Sequence, residues 1–108
     1  METVSPMQRK SKNGTIGHMD EDLKSLRAKI DDIDSKILDA LVARMDVVRK
    51  IGHLKNEQGL AVRDDARWNN VMSQVHDAAI SKGLSAALVD EIYAAIHNAA
   101  LEIETKGA

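Results

Sequence analysis

With 108 residues the chain can form one small domain at most, and a solitary core of that size buries only a modest share of its surface, so association with a second copy is open from the outset. Its 15 basic and 17 acidic residues give a formal charge of −2, which provides no overall field for nucleic acid, so any basic site must be local. The absence of cysteine excludes a disulfide framework and a thiol nucleophile and fits a reducing, cytoplasmic setting, while the scarcity of aromatics (Trp68 and Tyr93) favours helices over sheet.

The opening stretch, residues 1 to 19, is polar and basic, contains Pro6, Asn13-Gly14 and Gly17, and lacks the apolar run of a signal peptide. It reads as a flexible tail ahead of a helical domain over residues 20 to 106. No apolar run approaches the roughly 20 residues needed to cross a bilayer, so no membrane partner is expected.

Leu23, Leu26, Ile30, Ile33, Ile37, Ala40, Arg44, Val47, Ile51 and Leu54 then follow at alternating spacings of three and four, the pattern of a coiled-coil seam. They predict one long helix from about Asp20 to Glu57. Asp20, Glu21 and Asp22 suit its positive end, Lys55 its last turn, and Gly59 a left-handed stop. Arg44 puts a cation where the seam calls for an apolar residue.

A second helix is expected from Asp64 or Asp65, either of which can cap it, carrying Val71, Val75, Ala78 and Ala79 inward until Gly83 ends it. A third starts after Ser85, its N-cap, and buries Leu88, Ile92, Ile96, Ala99 and Ile103. Both are too short to cover the first helix along its length. Leaving its leucines and isoleucines in water forgoes roughly 1.5–3 kcal/mol of burial each, so the pattern predicts an all-α homodimer with two long helices packed along each other.

On a helix, residues eleven apart face nearly the same way, so Arg44 and Lys55 share a face about 16 Å apart along the axis, with Val48 and Ile51 between them. The segment GLAVRDDARW brings Arg63 and Arg67 back near Lys55, and the backbone N–H groups opening the second helix point the same way. Together they describe a pocket for a small polyanion. Arg27, 17 residues before Arg44, is too far along and around the helix to join within one chain; in an antiparallel dimer a partner's Arg27 could.

The stretches LRAKIDDID, RMDVVRKIGHLK and VRDDAR resemble, in order and spacing, the all-helical chorismate mutases, over roughly Leu23 to Glu104. The resemblance implies a three-helix fold with one long N-terminal helix in an intertwined homodimer, and no cofactor or metal. It implies that Arg44 and a partner's Arg27 bind the two carboxylates of chorismate, and that Lys55 binds the side-chain carboxylate and the ether oxygen. Asp64, with a nearby backbone N–H for the ring hydroxyl, and Arg67 would organise the wall facing the ring. Ala100 and Glu104 fall where the family commonly has a small polar residue and a glutamine or glutamate. Three departures stand out: Trp68 replaces a glutamate that commonly accepts the substrate hydroxyl, Ala100 lacks a hydroxyl, and Glu104 would oppose charge on the ether oxygen if ionised.

Conversion of chorismate to prephenate is a pericyclic rearrangement within one molecule and needs no nucleophile, metal or redox group. His18, His53, His76 and His97 are too scattered to read as metal ligands. A catalyst of this reaction holds the enolpyruvyl side chain over the ring and sets positive charge where the ether oxygen becomes negative. Arginine clamps suit the first requirement and Lys55 the second. Glu104 helps only as a protonated donor. Trp68 and Tyr93 read as packing or rim residues rather than recognition elements, and His97, one turn before Ala100, could face the pocket but reads as a polar or partly buried structural histidine.

Two further functions share the scaffold: a lyase splitting isochorismate into salicylate and pyruvate, and a mutase for an amino-substituted chorismate. A rival of another class is a non-catalytic helical dimerisation or regulatory module, in which Arg44 is a tolerated polar residue of the interface.

Overall fold

The computed structural model describes residues 16–107, with side chains from 22 to 106, and contains three helices and no strand among them. They are α1 (Ile16–Gln58), α2 (Asp65–Ser81) and α3 (Ala86–Gly107). The expected tail lies outside the described residues from 1 to 15, and its last four residues belong to α1. Because α1 starts at Ile16, its first turn holds no acidic residue. Asp20, Glu21 and Asp22 therefore do not sit at the positive end where the sequence pattern put them.

The helix ends are set by local chemistry. Gly59 (φ 69°) and Gly83 (φ 79°) take the left-handed backbone that side chains disfavour, which terminates α1 and α2. Asp64 is the N-cap of α2, its carboxylate accepting the Arg67 N–H at 3.0 Å. The Ser85 hydroxyl accepts the Leu88 N–H at 3.3 Å at the start of α3. No described helix is long and apolar enough to cross a membrane.

The chain divides into two compact units, Met1–Leu41 and Val42–Ala108. In the first, every described side chain from Asp22 to Ala40 is exposed, including Leu23, Leu26, Ile30, Ile33 and Ile37. The second holds the end of α1 with α2 and α3, and its buried residues are Val48, Gly52, Ala79, Val89, Ala100 and Glu104. Trp68 faces His97 and His76 pairs with Asp90, so α2 and α3 run antiparallel. α1 meets α3 at Glu104, which lies against Gly52 and pairs with Lys55.

α3 does not bury the face that apolar spacing selects. Leu88 and Ile92 are exposed, Ile96, Ala99 and Ile103 are half-buried, and Val89, Ala100 and Glu104 are buried instead. The helix has apolar residues on two adjoining faces, and small side chains at the contact allow the closest approach. Glu104 faces Gly52 of α1, where a Cβ would stand 3.0 Å from the Glu104 Cα. On α2, Ala79 is buried and Val71 and Val75 half-buried, whereas Ala78 is exposed.

Candidate active site

The second unit encloses a cavity of about 430 Å³, within the range of small-molecule sites. α1 contributes Arg44, Val47, Val48, Ile51 and Lys55; the link and α2 contribute Val62, Asp64, Arg67, Trp68 and Val71; α3 contributes His97, Ala100, Leu101 and Glu104. Six residues singled out from the sequence, Arg44, Lys55, Asp64, Arg67, Ala100 and Glu104, thus line one space. Arg27 is exposed on α1 and is not among the lining residues. Arg63, expected to add a cation near Lys55, is also outside the lining: its guanidinium is exposed and bonded to Asp65 at 2.9 Å. Two residues separate them, so the local ion pair forms more readily than a turn inward.

Lys55 is held from two sides. Its Nζ donates to the Val62 carbonyl at 2.7 Å and to Glu104 Oε1 at 2.7 Å, with side chains only 18% and 10% exposed. A charged amine in so sheltered a place requires such partners. An ammonium has three donors, so two bonds leave one N–H for a ligand. Glu104 is the buried counter-ion of Lys55.

Arg44 is half-buried and, among the described residues, has no hydrogen-bond or ion-pair partner. Asp46, an available carboxylate nearby on the same helix, binds Arg49 at 2.9 Å instead. The cation placed in the seam thus opens onto the cavity with its donors free. Arg67 shares the wall, bonded to Asn70 Oδ1 at 3.3 Å. A guanidinium at one end, an ammonium with a spare donor at the other and an apolar floor of Val48 and Ile51 between them can hold a small dianion.

Residues 26–105 match the family model for chorismate mutase type II. The chain belongs to that family. Two curated relatives agree at modest identity. A chorismate mutase of Methanocaldococcus jannaschii is 32% identical over 57 residues, 53% of this chain and 58% of that protein. A T-protein of Haemophilus influenzae is 28% identical over 72 residues, 67% of this chain and 19% of that protein. The chain therefore spans little more than half of one and about a fifth of the other. No solved structure matches the chain at comparable significance.

Within this member of the family, three features carry little or no signal in the sequence. Gly52 sits in a helix interior where alanine is intrinsically better, and that is the one hint that a close contact needs the missing Cβ. The Val62 carbonyl carries no side-chain signal at all. Trp68 and His97 stack with ring centroids 3.9 Å apart and an interplanar angle of 13°, making them cavity wall rather than rim.

Proposed function

We propose that the protein is a chorismate mutase serving aromatic amino acid biosynthesis through the shikimate pathway, rearranging chorismate to prephenate without a cofactor. The observation that carries this reading is Lys55 pinned between Val62 and Glu104 at 2.7 Å from each, opposite the unpartnered Arg44 in one cavity. The spare Lys55 N–H meets the ether oxygen as the C–O bond breaks, and a preorganised donor of that kind contributes about 10²–10³ in rate. Arg44 clamps one carboxylate, Arg67 and the amide at the start of α2 face the ring, and Ala100 leaves room for it. Glu104 holds the Lys55 ammonium in place as its counter-ion.

The site is completed in an intertwined homodimer, in the cytoplasm, with the domain over residues 20 to 106 and a flexible tail before it. The exposed leucines and isoleucines of α1 support this arrangement, because their burial against a second copy is worth roughly 1.5–3 kcal/mol each. The partner's Arg27 then supplies the second carboxylate clamp.

The alternative kept beside this reading is isochorismate lysis, because Trp68 changes the surface that meets the ring. Turnover of chorismate and isochorismate measured side by side tests the reading. Prephenate from chorismate is expected. Salicylate and pyruvate from isochorismate alone would reassign the enzyme. Inertness toward both, with no thermal stabilisation by an oxabicyclic dicarboxylate transition-state analogue, would leave a non-catalytic dimerisation module.

A further inference from the structure

Three side chains in the cavity wall carry a hydrogen-bonding group with no partner among the described residues: Arg44, His97 and Trp68, through its indole N–H. The other polar groups are engaged, Lys55 with Glu104 and Val62, Asp64 with the Arg67 N–H, and Arg67 with Asn70. The half-buried His97 ring is not loose. It lies flat on Trp68 at 3.9 Å, which fixes its plane and leaves its in-plane ring nitrogens available to a ligand.

Position along the helices decides which part of a ligand His97 meets. His97 precedes Glu104 by seven residues, about 10 Å along the α3 axis. Arg44 stands about 16 Å before Lys55 on α1, and a cavity of about 430 Å³ lined by both Arg44 and His97 has the two on the same side of the Lys55–Glu104 pair, so that displacement leads toward Arg44. Chorismate carries its ether oxygen and hydroxyl on adjacent ring carbons and its ring carboxylate across the ring. With the ether oxygen at Lys55 and Glu104, the hydroxyl stays at that end and the carboxylate extends toward Arg44.

We propose that His97, held against Trp68, donates a ring N–H to the ring carboxylate of the substrate alongside the Arg44 guanidinium. The proposal rests on the chorismate reading of the cavity and adds a binding residue to it. It also accounts for the indole, since Trp68 becomes a positioning residue that holds the imidazole plane.

A protein change crossed with a ligand change tests this. Binding of the oxabicyclic dicarboxylate and of its counterpart with the ring-side carboxylate turned into a carboxamide is measured by calorimetry for the full chain and for His97→Phe, which keeps a stacked ring and removes the donor. The substitution is expected to weaken the dicarboxylate about tenfold and the carboxamide by less than about twofold, as befits loss of one charge-assisted hydrogen bond. His97→Gln, which restores an N–H, should recover part of the loss. Equal weakening of both ligands, or none, overturns the proposal and makes His97 a packing residue. Should His97→Phe fail to fold, nitrogen NMR of the His97 ring in the unaltered protein decides: a shift with the dicarboxylate and none with the carboxamide supports the proposal, and identical spectra overturn it. Turnover separates the two readings. Prephenate formation without His97 discrimination leaves the mutase standing and removes this inference, whereas discrimination without turnover does the reverse.

Discussion

Gly52 of α1 and Glu104 of α3 approach so closely that a Cβ on the glycine would lie 3.0 Å from the glutamate Cα and 3.3 Å from its carbonyl oxygen. This contact sets the distance between the helices that carry Lys55 and its counter-ion. Alanine in an ordinary helix interior gains about 0.5–1 kcal/mol over glycine. Here the clash is with backbone, which yields only by moving α3. Gly52→Ala is expected to destabilise the protein by about 1–2 kcal/mol in urea unfolding, as overpacking does. A stabilised Gly52→Ala protein would show that the helices have room to spare.

Lys55→Ala removes the ammonium from both Val62 and Glu104. Turnover of chorismate should fall by about 10²–10³. The Glu104 carboxylate, 10% exposed, then lacks its cation, and stability should drop by up to about 3 kcal/mol without loss of the helical circular dichroism. Near-normal turnover in a folded Lys55→Ala protein removes Lys55 from the mechanism.

Glu104 can donate to the ether oxygen only while protonated, and as a carboxylate it opposes the charge developing there. Glu104→Gln, which presents an amide donor in place of the carboxylate, is therefore expected to raise turnover of chorismate severalfold while the fold is kept. Turnover at or below the unaltered level would assign Glu104 to holding Lys55 alone.

Arg27 and Arg44 belong to one site only if two chains build it. Arg27→Ala and Arg44→Ala should each be nearly inactive. Mixed and allowed to exchange, they should recover about a quarter of normal turnover, because half the dimers are mixed and each has one intact site. No recovery, with exchange verified by mass spectrometry, places the second clamp elsewhere.

The helices and their ends were legible because their causes are local. Apolar spacing, Gly59, Gly83, Asp64 and Ser85 act within one or two turns, and each stands at the boundary it was expected to set. The start of α1 was misjudged because the acidic run at 20 to 22 looks like a first turn wherever the helix begins. The cations of the cavity were half legible. The eleven-residue spacing of Arg44 and Lys55 is a property of one helix, while the turn of Arg63 toward Asp65 is a choice between partners.

By itself the sequence determined an all-helical chain, a stripe of leucine and isoleucine along the first helix, and two cations on one of its faces, since all three follow from 3.6 residues per turn. Tertiary structure alone decided that α3 buries Val89, Ala100 and Glu104 rather than Leu88 and Ile92, that Glu104 meets Lys55, and that Trp68 stacks on His97. The reason is rotational. A helix with apolar residues on two neighbouring faces can turn either one inward, and on the face observed Gly52 lets the α1 backbone come within close contact of Glu104.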